Sequence, residues 1–362
     1  MNATTESPDT ITEAGPSAGP SADPAKADLR PAQGTSSRRW PKAGRLIRNR
    51  LLLAIPITTA VSMVTFWLAS IAPFDPLVAY LGPRFERASA EERAQLAAQL
   101  GLDDSWIAIW GRSARDLLLH GDLGQSRSLA RPVSEVLAER LPWTLLLAGA
   151  GLLLAVVLSL VLGVSAACRP GSLVDRVASG LSYAVQGLPP FVLALVAIGV
   201  FSLALGWLPV AGVAEGGADP TWGSIARHII LPAAVLGLSQ VPWLLLNVRS
   251  SVLAALTEDH VTAARSRGLP ERTVVWRNAL PGALLPFITV IGARLPELVT
   301  GALLVEAVFS WPGLAAATVD AATSGDFPLL AAVTALTCFA VLVGSMIADA
   351  VYLLVDPRVD DA

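Results

Sequence analysis

The sequence predicts an all-α polytopic membrane protein with six transmembrane helices and a small helical external subdomain. Hydrophobic residues make up 53% of its 362 residues, charged residues make up 15%, and the mean hydropathy is +0.58. Several apolar runs have about 20 residues or more, the length that a helix needs to cross a hydrocarbon core of about 30 Å. A membrane barrel would instead show alternating strands of about ten residues, so a helical bundle is favoured.

The first 45 residues are predicted to form a disordered cytoplasmic tail. They are rich in Pro, Gly, Ser, Thr and Ala and show no apolar period, so they bury too little surface to offset the entropy of ordering. Because this long polar stretch precedes the first apolar run, that run is not expected to be a cleaved secretory signal. Residues 46–359 are predicted to form the transmembrane domain.

Six segments are long and apolar enough to be predicted membrane spans. The third is interrupted by the sequence Gly187-Leu188-Pro189-Pro190, which either kinks one span or separates a short lead-in helix from the span proper. Both alternatives stay open on the sequence. The six predicted spans are Leu51–Ala72, Leu141–Ala167, Val177–Leu205, Ile229–Val248, Leu284–Ala307 and Phe327–Val355.

The distribution of basic residues predicts a multi-pass protein of the plasma (inner) membrane with both termini in the cytoplasm. Six Arg and Lys residues lie between Arg38 and Arg50, just before the first span, and cytoplasmic flanks of membrane proteins carry such an excess. The loop between Ser310 and Asp326, predicted to lie outside, has none. The long loop 73–140 has eight arginines, but the charge rule applies to loops of up to about 60 residues.

This loop 73–140 is predicted to be the small helical external subdomain. Ser89 and Glu92 have the spacing of a capping box, which opens a helix that Gly101 ends. A second helix is predicted over Trp106–His120.

The chemistry missing from the sequence excludes several classes of function. The only two lysines, Lys26 and Lys42, lie in the N-terminal segment, so the chain has no phosphate-binding loop with its essential lysine. The three histidines are scattered without the spacing of metal ligands. No catalytic residue, metal site, cofactor or nucleic-acid partner is therefore expected on this chain.

A polar segment of residues 251–283 interrupts the apolar pattern between the fourth and fifth spans. Residues Glu258–Arg267 predict a short helix that Gly268 ends, and Pro270 begins a second helix that turns into the fifth span at Leu280-Pro281. The small pair Ala263 and Ala264 permits the close approach of a partner, and Arg265 and Arg267 are expected to reach its acidic groups. The alternative is an amphipathic hairpin that lies on anionic lipid of the bilayer.

The pattern of Ala263-Ala264, three residues, Gly268, and Leu280-Pro281 twelve residues later is similar to the EAA loop of ABC importer permeases. Thr262 stands where the family often has Glu, and Asn278 where it usually has an aliphatic residue or His. The resemblance implies that Thr262, Ala263, Ala264, Arg265, Arg267, Gly268, Leu280 and Pro281 form a coupling loop that binds an ATPase subunit.

Five further motifs resemble the dipeptide/oligopeptide/nickel branch of these permeases, and the B-type subunit in particular. The stretch Gly121-Asp122-Leu123-Gly124-Gln125-Ser126 gives the signature residues Gly121, Asp122, Gly124 and Ser126 of the first external loop. The other motifs are Ile71-Ala72-Pro73-Phe74-Asp75-Pro76, Gly101-Leu102-Asp103, the run from Val305 to Leu314, and Asp356-Pro357-Arg358.

This resemblance implies a type I ABC importer permease, most simply for short peptides. The implied partners are a second homologous permease, two ATP-binding subunits that hold ATP and Mg, and an extracellular or periplasmic substrate-binding protein. Nickel or another small solute is the alternative cargo. A secondary transporter driven by an ion gradient is the alternative from another class, although the inverted repeats typical of such transporters are not visible in the sequence.

Two charged residues, Arg294 and Glu297, lie within the predicted fifth span, three positions apart on one helical face. Charges inside a membrane are costly and often functional. They are predicted either to neutralise each other against a neighbouring helix or to line a translocation path, where Arg294 meets a peptide carboxylate and Glu297 an amino terminus. Gln186, beside the Gly/Pro break of the third span, is a further candidate for the path.

Overall fold

The computed structural model describes residues 36–71, 77, 81–100, 104–126 and 128–355. Within these residues nearly every element is a helix, which confirms the predicted all-α class. The α-helices are α1 (Ser36–Ile71), α2 (Ala90–Leu100), α3 (Trp106–His120), α4 (Val133–Cys168), α5 (Leu173–Gln186), α6 (Pro190–Ala197), α7 (Trp222–Leu256), α8 (Asp259–Ser266), α9 (Glu271–Thr273), α10 (Leu280–Val308), α11 (Leu314–Ser324) and α12 (Phe327–Val355).

Three helical segments of other types complete this inventory, together with one antiparallel ribbon. The ribbon pairs β1 (Gln125–Ser126) with β2 (Arg131–Pro132), and Gln125 lies opposite Pro132. The other segments are a 3₁₀ turn at Gly82–Arg84 and π-helical segments at Ile198–Ala204 and Val274–Ala279.

The number of full-length spans is lower than the predicted six when length and composition alone are considered. Among the described residues four helices qualify, namely α4, α7, α12 and the stretch from Glu271 through α10, and the bent pair α5 and α6 makes a fifth. The apolar part of α1 covers Leu52–Leu68, which is short for a span. All six predicted segments therefore occur as apolar helices, but six straight spans do not.

The third predicted span is two helices rather than one. Helix α5 and the helix formed by α6 and its π-helical continuation meet at an angle of 111°. Pro189 has φ −60° and ψ 144°, the extended conformation that a residue before proline prefers, and Pro190 starts α6 at a position where its missing N–H is not needed. Of the two alternatives, the separate lead-in helix is confirmed.

Helix α7 is the centre of the bundle. It packs against α4, α5, α6 and α10, and 61% of its apolar window is buried, against at most 28% for the other three long spans. Its closest neighbour is α4, because glycines bring the two backbones together. A Cβ on Gly151 would lie 2.8 Å from Leu236, and one on Gly237 would lie 2.9 Å from the carbonyl oxygen of Gly151.

Helices α1 and α12 pack together on α10, and α3 lies against α1, where Trp110 Nε1 donates to Ser62 Oγ at 3.2 Å. Helix α3 has the predicted limits. The predicted capping box is also present, because the backbone N–H of Ser89 donates to the Glu92 carboxylate at 2.9 Å and that of Glu92 donates to Ser89 Oγ at 3.1 Å.

The N-terminal boundary differs from the prediction. Helix α1 begins at Ser36, ten residues inside the predicted tail, because a helix that forms in the apolar segment extends back through good helix formers such as Arg, Lys and Ala. Residues 1–35 of that predicted tail lie outside the described residues, as do most of the motif Ile71–Pro76, the motif Gly101–Asp103 and the motif Asp356–Arg358.

Candidate functional site

The polar segment between α7 and α10 folds into a compact helical hairpin, residues 258–279. Helix α8 ends as predicted, since Gly268 has φ +75°, a conformation that favours glycine. The N–H of Gly268 donates to the Arg265 carbonyl at 2.9 Å, and the N–H of Leu269 donates to the Ala264 carbonyl at 3.4 Å. These two bonds form a Schellman motif, which satisfies the last carbonyls of α8 and turns the chain towards α9.

Arg265 holds this hairpin closed. Its Nη2 donates to Glu271 Oε1 at 2.7 Å, and its Nη1 donates to the carbonyl oxygen of Leu256, the last residue of α7, at 3.0 Å. The hydrogen bonds and charge of Arg265 lower the pKa of the Glu271 carboxyl from its ordinary value. The expectation that Arg265 reaches acidic groups of a partner is therefore corrected, because its guanidinium is occupied by two neighbours within the chain.

The two alanines of the predicted pair face opposite ways. Ala264 and Val261 are fully buried, packed in the same cluster as Val274 and Ala279 of the second arm of the hairpin. Ala263 is exposed, and so are Thr262 and Arg267 on the same helix. Only Ala263 of the pair permits the close approach of a partner, because Ala264 already serves the packing of the hairpin itself.

The predicted turn at Leu280-Pro281 is wrong, because the second arm runs straight into α10. Helix α9, the π-helical segment and α10 form one continuous helix from Glu271 to Val308. The wider π turn carries the chain up to the proline, and the N–H of Leu280 donates to the carbonyl of Val275, five residues back. Pro281 then sits in the first turn of α10, where a proline is tolerated.

His260 adds a second link between the two arms. Its Nε2 lies 3.0 Å from the carbonyl oxygen of Asn278, to which it donates. Pro281 has no N–H, so the turn beside Asn278 lacks one of its usual helical donors, and the imidazole supplies another. Its Nδ1 lies 3.2 Å from the Glu258 carboxylate. His260 therefore joins α8 to the start of α10.

The membrane-embedded charges Arg294 and Glu297 form an ion pair on α10. The Arg294 guanidinium also stacks over the ring of Trp243 of α7, 4.0 Å from its centroid. The Arg294 side chain is 20% exposed, whereas that of Glu297 is 52% exposed. The predicted mutual pairing is present, but the pair lies at an open face of the chain rather than buried between helices.

Gln186 is the last residue of α5 and is exposed beside the bend to α6. Among the described residues, no hydrogen bond connects it with Arg294 or Glu297. The structure thus brings two of the three predicted path residues together and leaves the third apart.

The four signature residues of the first long loop lie at the opposite end of the bundle from the hairpin. Gly121 ends α3 with φ +66°, and the carboxylate of Asp122 accepts from the N–H of Gly124 at 2.8 Å. The carbonyl of Gly124 accepts from the N–H of Val133, the first residue of α4. Ser126 is buried, and its Oγ donates to Asp326 Oδ2 at 2.6 Å.

Asp326 and Glu306 complete this loop end, defined as residues 121–132, 143–144, 306–315 and 326. Asp326 Oδ2 also accepts from the backbone N–H and the Oγ of Ser128, at 2.9 and 2.8 Å. Glu306, 1% exposed, accepts from the N–H of Ala315 at 2.9 Å, and Thr144 Oγ1 accepts from the N–H of Leu314. The loop end therefore joins α4, α10, α11 and α12 through buried hydrogen bonds.

Comparison with known protein families identifies this arrangement. The family model for the binding-protein-dependent transport system inner membrane component matches residues 159–361, which is more than half of the chain. The chain belongs to this family. It is accordingly a multi-pass membrane protein and a component of a transport system.

Characterised relatives cover nearly the whole of this inner membrane component. It is 35% identical over 315 residues to the oligopeptide transport system permease protein AppB of Bacillus subtilis (strain 168). It is 33% identical over 341 residues to the dipeptide transport system permease protein DppB of Escherichia coli (strain K12). In both comparisons the match covers 87% of this chain and 98% of the relative.

Three features of this inner membrane component were not found by sequence reasoning. Asp326 follows Gly325 as an ordinary loop acid, and only the fold brings it to Ser126. Trp243 is one of ten tryptophans, and nothing in its neighbourhood marks it as the platform for Arg294. The third is a bidentate ion pair between Asp175 of α5 and Arg249 of α7, at 2.5 and 3.0 Å.

Proposed function

We propose that this chain is a permease subunit of an ATP-driven importer for short peptides. The relatives at 33–35% identity are named oligopeptide and dipeptide permeases, and their full lengths match. In this proposal a second, homologous permease completes the path, two ATPase subunits bind ATP and Mg, and an external binding protein delivers the peptide. The chain itself performs no hydrolysis. Its termini and the hairpin lie in the cytoplasm, and the loop end faces outwards.

The observation that carries this proposal is the hairpin at residues 258–279. Its internal contacts fix its own shape through Arg265, Ala264 and Gly268, so its outer face is free to bind another protein. That face presents the small side chain of Ala263 beside Thr262 and Arg267. No hydrogen bond or ion pair of the Arg267 guanidinium occurs among the described residues, so this cation remains available to an acidic group on an ATPase.

The continuous helix beyond the hairpin supplies the connection to the membrane. Leu280 and Pro281 lie at the start of α10, and Arg294 and Glu297 lie further along the same helix. We assign these two charges and Gln186 to the translocation path, because a charged pair at an open face inside a membrane avoids lipid and faces water or protein. The signature residues Gly121, Asp122, Gly124 and Ser126 shape the outer rim.

Affinity purification of the complex tests the ATPase contact. Ala263→Glu places a charge on the exposed face of α8, so co-purification of the ATPase subunits is expected to fall at least about tenfold, equivalent to about 1.4 kcal/mol in binding. Ala108→Glu, at an exposed alanine of α3, is the matched control and is expected to retain them. The second permease should remain bound in both variants.

Two results would contradict this function. Retention of the ATPases by the Ala263→Glu variant would mean that another surface binds them. Transport of peptide by the purified chain alone in liposomes without ATP would make it a secondary transporter.

A further inference from the structure

A half-exposed carboxylate lies deep inside the membrane part of this protein. Glu297 is about 26 Å along α10 from Leu280 and about 16 Å from its other end at Val308, at the rise of an α-helix. Its side chain is 52% exposed in the chain. A carboxylate at this depth is expelled from lipid, so the exposed side of Glu297 faces water or a polar partner.

Arg294 is already engaged on two sides. Its planar group stacks on the Trp243 ring at 4.0 Å and forms the ion pair with Glu297, and only 20% of its side chain remains exposed. An arginine stacked on an aromatic face is held in place by the cation–π attraction, and its fork of donors is directed along the plane of the group. Arg294 is therefore a positioning residue, with little surface left for a ligand.

The remaining binding capacity belongs to Glu297. A carboxylate has two oxygens and about four acceptor sites, and the ion pair with Arg294 involves Oε2. Among the described residues no donor contacts its Oε1. The open group at this face is therefore an acceptor with negative charge rather than a donor with positive charge.

The surface beside Glu297 is apolar and hydroxylic. Trp243 and Leu304 are each 45% exposed, and Thr300, one helical turn from Glu297, is exposed as well. A ligand that fits this face combines one ammonium group with apolar groups close to it. The amino-terminal end of a short peptide has this chemistry.

We propose that Glu297 is the binding site for the α-ammonium group of the transported peptide, with Arg294 and Trp243 holding its carboxylate in position. This inference rests on the proposed function in peptide import and makes it specific. It replaces the symmetric expectation in which Arg294 meets a carboxylate, because the exposed partner of the pair is the acid. A peptide with a blocked amino terminus is not recognised here.

Cysteine modification tests the charge at this face without requiring transport. In the whole complex, with Cys168 and Cys338 replaced by Ser and Ala, Thr300→Cys introduces a thiol one turn from Glu297 and two from Arg294. A methanethiosulfonate reagent carrying trimethylammonium is expected to react faster there than one carrying sulfonate. Relative to Ala108→Cys on α3, the rate ratio should be about tenfold larger, since a charged cleft raises the local counter-ion concentration at least tenfold. Glu297→Gln should abolish the difference, and Glu297→Asp should keep most of it.

Protection by defined peptides tests the ligand. Alanyl-alanyl-alanine amide, which has an ammonium group and no carboxylate, is expected to slow modification of Thr300→Cys several-fold. N-acetyl-trialanine, which has a carboxylate and no ammonium group, is expected to have no effect. The Glu297→Gln variant should lose the protection by the amide.

Three results would overturn the inference. They are a thiol at position 300 that does not react because lipid or the second permease covers it, protection by the acetylated peptide, and equal protection in the Glu297→Gln variant. Uptake of trialanine by proteoliposomes with the ATPases and binding protein is measured separately. Absent uptake with intact protection contradicts peptide import alone, and normal uptake without protection contradicts only the ammonium site.

Discussion

The loop end and the hairpin of this permease are held together over very different distances along the chain. At the loop end, Ser126 bonds to Asp326 across 200 positions, and Thr144 bonds to Leu314 across 170. In the hairpin, Arg265 bonds to residues six and nine positions away, and His260 to one 18 away. The loop end therefore exists only when the whole bundle has folded, whereas the hairpin is a local unit that can move as one body.

The two regions also differ in how their carboxylates are satisfied. Among the described residues, Asp326 and Glu306 accept only from hydroxyl and backbone N–H groups, and both are almost completely buried. Glu271 is paired with an arginine and is mostly exposed. Buried neutral donors lose a great deal when their acceptor is removed, while exposed ion pairs contribute little to global stability. Substitutions in the two regions should therefore have different consequences.

The largest effect is expected for Asp326→Ala. Ser126, Ser128 and Leu329 lose a buried acceptor, and each orphaned donor costs about 1–3 kcal/mol. The thermal midpoint of the purified complex, measured by size-exclusion chromatography after heating, should fall sharply. Asp326→Asn keeps one acceptor and the side-chain shape, so it should lie between the two. A wild-type midpoint for Asp326→Ala would remove the basis for calling the loop end a global structure.

A smaller loss is expected for Gly313→Ala. A Cβ at this position would overlap the Glu306 carboxylate, and overpacking of this kind typically costs about 1–3 kcal/mol. The matched control is Gly223→Ala in the first turn of α7, where an added Cβ meets nothing within 4 Å. The same heating assay should show a lower midpoint for the first variant and an unchanged or raised midpoint for the control. Equal midpoints would contradict the close packing of Glu306.

Asp175→Asn tests a case between these extremes. Its ion pair with Arg249 bridges 74 positions, yet it lies near the hairpin. The thermal midpoint should fall less than for Gly313→Ala, because Arg249 is 29% exposed and water can solvate it once its partner is gone. The double variant Asp175→Asn with Arg249→Gln should recover part of the loss. If it instead melts lower than either single variant, the pair is not the stabilising element.

The smallest global effect is expected for Glu271→Gln, which weakens the pair with Arg265. The thermal midpoint should stay unchanged, while amide hydrogen exchange over residues 264–272 accelerates and exchange over 128–132 does not. Because the folded-state pKa of Glu271 lies below its ordinary 4.5, the ion pair stabilises the hairpin at neutral pH and is lost as the pH falls through that lowered pKa. Wild-type exchange, corrected for intrinsic rates, should approach that of the variant below about pH 4. Acceleration at both ends would show that the hairpin is not a local unit.

The same division separates what the sequence predicts from what it does not. The capping box of Ser89, the limits of α3 and the conformation of Gly268 are decided by residues close in sequence, and each was predicted. The contacts of Asp326 and Trp243 depend on partners far away in the chain, and no local pattern marks them. The error at Leu280-Pro281 has another cause. A proline normally suggests a helix boundary, but a preceding π turn let the helix continue through it.

The absence of a break at Pro281 makes the hairpin and the ammonium site two points on one lever arm. From Glu271 to Glu297 the helix is about 39 Å long, so a tilt of about 10° pivoting at the hairpin displaces the carboxylate by about 7 Å. That displacement is about the length of two extended residues. A small change of angle where an ATPase binds is thus enough to carry the grip on a peptide from one register of its backbone to another.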